Sequence, residues 1–142
     1  MKRILCLLML ILIVTFGYSQ KLTYSKDYNS NTVAKDEYGN IVAIGSTNYN
    51  GDFVWKDKYG TVIKTESKDY NGNTVSKDNY GNKQSIQSTD YNGNQVIKDQ
   101  YGNTLYTLSK DYNGNIVKKD RYGNTLGTYK KDYNGNMVYY PN

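Results

Sequence analysis

The chain has 142 residues, with 18 Lys and Arg against 13 Asp and Glu, no histidine, one cysteine, one proline and 17 tyrosines. With no histidine, and Glu37 and Glu66 as its only glutamates, it lacks the groups from which most acid–base, nucleophilic and zinc sites are assembled. Its modest positive charge alternates with carboxylates, as in Lys77-Asp78 and Lys110-Asp111, unlike the unbroken basic stripe that a nucleic acid requires.

Residues 1–19 read as a secretory signal peptide. Lys2 and Arg3 form a basic start, residues 4–16 are almost wholly apolar, and Gly17 and Ser19 are the small residues expected ahead of cleavage before Gln20. The apolar run is short for a membrane-spanning helix, so no stable span is expected after cleavage. Cys6 lies inside this run, and the exported part therefore builds no disulfide. The expected location is secreted or in a bacterial envelope, at the periplasm or outer surface.

Residues 20–26 form a lead-in that suits a first edge strand. From Asp27 the chain repeats every 21 residues, as 27–47, 48–68, 69–89, 90–110 and 111–131, and ends in a half-unit from Asp132. Tyr28, Tyr49, Tyr70, Tyr91, Tyr112 and Tyr133 keep this period, and Tyr38, Tyr59, Tyr80, Tyr101 and Tyr122 form a second series. A fixed period marks one supersecondary unit stacked on copies of itself. Each unit carries two D-x-x-G-N stretches, such as those starting at Asp69 and Asp78. Aspartate first and glycine fourth predict a type I turn closed by a G1 bulge, with an Asn-Gly type I′ turn as the alternative in the first half. The segments between read as strands, so the unit is a β-hairpin.

The predicted fold is all-β: an array of 21-residue antiparallel hairpin repeats forming an extended or coiled meander sheet. The steadiest apolar column is Val33, Val54, Val75, Val96, Val117 and Val138. A looser one, Val42, Ile63, Leu105 and Leu126, is interrupted by Gln84. Aliphatic mass is too small for a thick two-layer core, so burial is expected from tyrosine rings lying along strands and over neighbouring turns. The two strands of a unit differ in length, which predicts a bulge, an overhang or a sheet that coils. Pro141 suits a final edge strand. The first two units are the least regular, as capping units are.

Two D-x-x-G-N turns per 21 residues with tyrosine nearby make residues 27–142 similar to the YD repeats of Rhs-type bacterial surface and toxin proteins. Those repeats set tyrosine directly before aspartate, whereas here it follows, as in Asp90-Tyr91. The resemblance implies a β-hairpin array and export. It carries over no functional residue.

D-x-N-G-N resembles a calcium loop only superficially, because an EF-hand has glycine sixth and glutamate twelfth. The aspartates are expected to cap turns, and neither metal nor cofactor is expected. No acidic pair stands apart from the repeat as a glycosidase pair would, so no catalytic residue is expected. Surface remains. Tyr49, Tyr59, Tyr70, Tyr91 and Tyr112 are candidate ligand-binding residues. Phe53 and Trp55 stand where another unit has Thr74 and Ser76, and have two readings: a binding patch, or a cap packed on Leu22 or Tyr24. Met137, Tyr139 and Tyr140 read as a terminal cap. The expected function is a non-enzymatic interaction module for a glycan or an envelope or surface protein. The alternative is a structural protein that self-associates through sheet edges.

Overall fold

The computed structural model describes residues 20–142, and the signal-peptide reading falls outside the described residues. Twelve strands follow in order: β1 (Leu22–Lys26), β2 (Thr32–Lys35), β3 (Ile41–Thr47), β4 (Phe53–Lys56), β5 (Val62–Lys68), β6 (Thr74–Asp78), β7 (Lys83–Thr89), β8 (Gln95–Asp99), β9 (Thr104–Lys110), β10 (Ile116–Asp120), β11 (Thr125–Lys131) and β12 (Met137–Pro141). Each pairs antiparallel with its neighbours in sequence, as a hairpin repeat requires.

The turns form as their residues dictate. In the turn at Asp90, Gly93 N–H donates to the Asp90 carbonyl at 3.1 Å and Asp90 N–H to the Asn94 carbonyl at 2.8 Å. Oδ1 of Asp90 accepts from the backbone N–H of Asn92 and Asn94, both at 2.9 Å, while Oδ2 accepts the Asn94 amide at 3.1 Å. Gly93 sits at φ 81°, in the left-handed region that L side chains resist. This is the type I turn with a G1 bulge. The one non-glycine at this position, Ser30, is held at φ 63°.

These bonds favour ionised carboxylates. The side-chain amide four residues on is the main cause of a lowered pKa at Asp27, Asp36, Asp69, Asp90, Asp99, Asp111 and Asp120, with backbone N–H donors adding to it. A carboxylate whose folded pKa lies below its unfolded value of about 3.9 stabilises the fold above that value, and loses this as pH falls through the lowered one. The melting temperature should therefore be flat from neutral pH to about 5 and drop below about 4. A thermal melt unchanged down to strongly acid pH would remove the aspartates from the stability argument.

The unequal strands are reconciled by bulges. Trp55 pairs with Lys64 and Lys56 with Val62, leaving Ile63 as the extra residue. The same shift leaves out Val42, Gln84, Leu105 and Leu126. The looser apolar column is thus the bulge column, and an extra residue without a cross-strand partner explains why it tolerates Gln84.

The expected extended or coiled sheet is not what forms. The sheet closes into a barrel, because β1 pairs with β12 through Leu22–Tyr139, Thr23–Val138 and Tyr24–Met137. Neither terminal strand is an edge, so assembly through free sheet edges has none to use among the described residues. Pro141 lies beyond the β1–β12 pairs, opposite Gly127 of β11, where its missing N–H costs β1 nothing.

The inner face follows from geometry. β1 and β4 are separated by two strands, about 14 Å along a sheet at ~4.8 Å per strand. Yet the Tyr24 and Trp55 rings lie 6.4 Å apart, and Tyr24 also reaches Tyr129 of β11 at 6.5 Å. Rings converge like this only on the concave side. Register then places Ala34, Trp55, Ser76, Ile97, Lys118 and Tyr139 inward and the Val33 column on the other face, where Val33, Val54 and Val138 are nonetheless buried, at 4–9 % exposure. Positions that face out recur from unit to unit, while those that face in diverge. A closed barrel explains the contrast: six copies of one side chain aimed at a common axis would either collide or leave a void.

The lumen is filled unevenly. One wall is aromatic, with Phe53 against Trp55 at 5.4 Å, Tyr129 against Tyr139 at 4.6 Å, and the Tyr139 hydroxyl donating to the Leu126 carbonyl at 3.1 Å. Lys118 is buried there with Nζ 4.3 Å from the Tyr106 ring centroid, and burial lowers its pKa. The adjoining wall is polar, with Lys64, the cross-strand partner of Trp55, paired to Glu66 at 2.5 Å and the Gln87 amide donating to Gln95 at 3.0 Å.

Candidate functional site

Closure sorts the turns onto two rims. The turns that follow odd-numbered strands form a six-turn rim carrying Tyr28, Tyr49, Tyr70, Tyr91, Tyr112 and Tyr133. Those that follow even-numbered strands form a five-turn rim carrying Tyr38, Tyr59, Tyr80, Tyr101 and Tyr122, beside both chain ends. The candidates therefore divide. Tyr49, Tyr70, Tyr91 and Tyr112 share the six-turn rim, Tyr59 stands at the other, and Phe53 and Trp55 lie in the lumen. The exposed strand-face patch of Phe53 and Trp55 does not form; Trp55 packs edge-on against Tyr24, one of the two partners weighed for a cap.

The two tyrosine series differ from expectation in one respect. They were expected to cover neighbouring turns, but those of the six-turn rim are 97–108 % exposed and those of the five-turn rim 74–82 %. Turn tyrosines bury almost nothing. The rings that stabilise the fold are instead strand residues: Tyr24, Tyr106, Tyr129 and Tyr139. On the five-turn rim the tyrosines lean on neighbours, with Lys58 Nζ 5.1 Å from the Tyr59 ring centroid and Arg121 donating to the Tyr122 hydroxyl at 2.7 Å.

Each tyrosine of the six-turn rim is fixed at its Cα by the Asx-type turn, while its ring is free in solvent. The next residue is asparagine in every copy, so aromatic faces and amides alternate around the ring. Tyr28 and Tyr133 belong to the same sequence series but are missing from the candidate binding residues, and closure makes them equal members of the ring. Their period was the available signal.

Among the described residues no group of three or more His, Cys, Asp or Glu is placed to hold a metal ion. The aspartates that open the turns are occupied by backbone N–H donors and, except at Asp57, by their own asparagine amide. At the mouth on the six-turn side, Lys68, Asn73, Thr74, Gln87 and Gln95 line a polar depression of about 290 Å³. On the five-turn side, Leu22, Ile41, Val42, Ala43, Tyr59 and Ile63 line a larger, more apolar and open one of about 1000 Å³.

No protein-family description matches the chain, and no curated protein does. A solved structure of a protein from Arabidopsis thaliana is similar, with a TM-score of 0.59 at 15% identity, over 88% of this chain and 82% of that one. At that identity the likeness is one of fold alone. An alternansucrase solved in complex with isomaltononaose aligns with 84% of this chain and 12% of its own at 19% identity, but its TM-score of 0.21 carries no argument.

Proposed function

We propose that this chain is an exported, non-enzymatic binding module whose six-turn rim holds an extended glycan on its ring of exposed tyrosines. One observation carries the reading. Lumen-facing positions have diverged freely among the units, and so has the residue before tyrosine on the five-turn rim: Glu37, Lys58, Asn79, Gln100 and Arg121. Tyrosine has not changed in any complete turn of either rim, although its ring is at least 74 % exposed there. The fold gives no reason for that retention, and contact with a ligand does.

The chemistry suits a sugar. An aromatic face takes the C–H side of a pyranose, and the adjacent asparagine amide offers both a donor and an acceptor to hydroxyls. Successive tyrosines stand two strands apart, ~9.6 Å along the sheet, which is close to a β-linked disaccharide and too far for ring-on-ring stacking. Around a closed ring each turn is rotated by about 60° from the next. A straight glycan therefore meets two or three tyrosines before the rim curves away.

Calorimetric titration with an oligosaccharide ladder should show weak binding that strengthens over a few disaccharides and then levels off. Tyr91→Ser with Tyr112→Ser should weaken it roughly tenfold or more, as expected for losing two stacking contacts, with little change in melting temperature. No heat with any glycan, or affinity independent of length, would defeat the reading. Trp55→Ala, by contrast, should lower stability rather than affinity, because its ring packs in the lumen.

A further inference from the structure

The two rims differ in chemistry beyond their tyrosines. The exposed aliphatic residues Ile41, Val42, Ile63 and Leu105, each 36–42 % exposed, all belong to bulges at the five-turn rim. The six-turn rim exposes large apolar surface only as tyrosine. Each of these bulges stands opposite a lysine on the paired strand: Lys35 faces Ile41, Lys56 faces Val62, and Lys98 faces Thr104. Each five-turn hairpin therefore ends in one lysine, one tyrosine and, except at Gln84, one aliphatic side chain.

We infer that the five-turn rim seats the barrel on an anionic lipid surface. Three features converge there. Aliphatic tips can enter the boundary between headgroups and acyl chains, tyrosine rings sit at headgroup level, and lysine stems lie along apolar surface while their ammonium groups reach phosphate. Cations outnumber carboxylates at this rim and do not at the other. Its turn aspartates are already tied to their own asparagine and backbone donors, as at Asp36 with Asn40. A second copy of the chain is a poorer occupant, since it would bring one lysine belt against another.

Contact is peripheral. Strands of four to seven residues are shorter than the roughly 9–11 needed to cross a bilayer. In this orientation the six-turn rim points away from the lipid.

Residues 20–142 contain every strand of the closed sheet and lack the apolar run, which would itself partition into lipid. This protein should co-sediment with phosphatidylglycerol vesicles and not with phosphatidylcholine vesicles, and added salt should release it. Replacing Lys56 or Lys98 by Gln should weaken partition by about fivefold each. Val42→Ser, Ile63→Ser and Leu105→Ser together should weaken it at both low and high salt. Tyr91→Ser with Tyr112→Ser, at the opposite rim, should leave it unchanged. The inference falls if phosphatidylglycerol vesicles retain no protein, if neutral vesicles retain as much, or if the opposite-rim variant is the one that loses binding. It also falls if the triple serine variant changes the molecular mass in light scattering, which would make this rim a contact between chains. None of these outcomes bears on the glycan titration, which reads the other rim.

Discussion

A chain lacking residues 79–89 should fail to fold, while one lacking residues 69–89 should fold into a narrower barrel. The first deletion joins Asp78 to Asp90 and removes β7 with one turn, leaving an odd number of strands. In an up-and-down sheet the first and last strands would then run parallel, and the antiparallel pairing of Tyr24 with Met137 that closes the barrel could not form. Two edges would open, and the aromatic contacts between Tyr24, Trp55 and Tyr129, which depend on curvature, would be lost. Deleting residues 69–89 removes β6 and β7 together. That keeps antiparallel closure and keeps every side chain on its own face. It also takes out Ser76, Ser85 and Gln87 from the polar wall while leaving the aromatic wall whole. Lumen diameter scales with strand number, so the same rings must fit a smaller space. An overpacking cost of about 1–3 kcal/mol, or a melting temperature lower by roughly 10 °C, is expected. Circular dichroism and thermal melts of both proteins decide this: equal, cooperative transitions would rule out a closed barrel.

That ranking of deletions is what an open repeat array would also give, and the reason differs. In an array, a unit contributes its own stability and its neighbour contacts. In a barrel, it also sets the radius. The units, the turns and the strands were legible because their determinants are local: aspartate, glycine and asparagine at fixed offsets specify each reversal, as at Asp90, Gly93 and Asn94. The bulge was legible as a surplus in the longer strand, though not its position, which rests on the pairing of Lys56 with Val62.

Closure was not legible, because nothing in a 21-residue unit states how many units complete a ring. The signal was present in the strand residues that break the repeat. Phe53, Trp55 and Tyr139 read as departures near the two ends of the array, where caps are expected, and Tyr129 drew no reading at all. They are in fact partners across one lumen, brought together because β1 meets β12. The steady valine column drew attention as the apolar feature, and Val33, Val54 and Val138 are indeed buried, but on the face away from the lumen. The turn tyrosines were placed on the right ends of the strands but assigned a covering role, since exposure of a ring at a tight turn depends on where the neighbouring turn lies.

The same lumen makes Gly45 and Gly127 the glycines least able to change, for a reason unlike that of the turn glycines. Both lie inside strands, and a Cβ on either would meet a ring. At Gly45 it would stand 2.5 and 2.6 Å from Phe53 ring carbons and 3.1 Å from Trp55; at Gly127 it would stand 2.6 Å from Tyr139 ring carbons and closer still to the hydroxyl oxygen. Tyr139 is 2 % exposed, while Phe53 and Trp55 are half-buried. Phe53 is held edge-on by Trp55, and Tyr139 packs at a tilt on Tyr129 and is tied through its hydroxyl to Leu126. Large residues opposite glycine are how the barrel interdigitates around one axis. Gly45→Val and Gly127→Val should each cost about 3 kcal/mol or more, at the upper end of overpacking, and lower the melting temperature by ~10 °C. Ser46→Val and Thr128→Val, one residue away on the outer face, should change it little. The cycle is diagnostic. Tyr139→Leu should recover much of the loss in Gly127→Ala, because the obstructing ring is gone, and should recover none of the loss in Gly45→Ala. If Tyr139→Leu failed to rescue Gly127→Ala, or if the outer-face valines were as damaging as the inner ones, the assignment of the aromatic face to the lumen would be wrong.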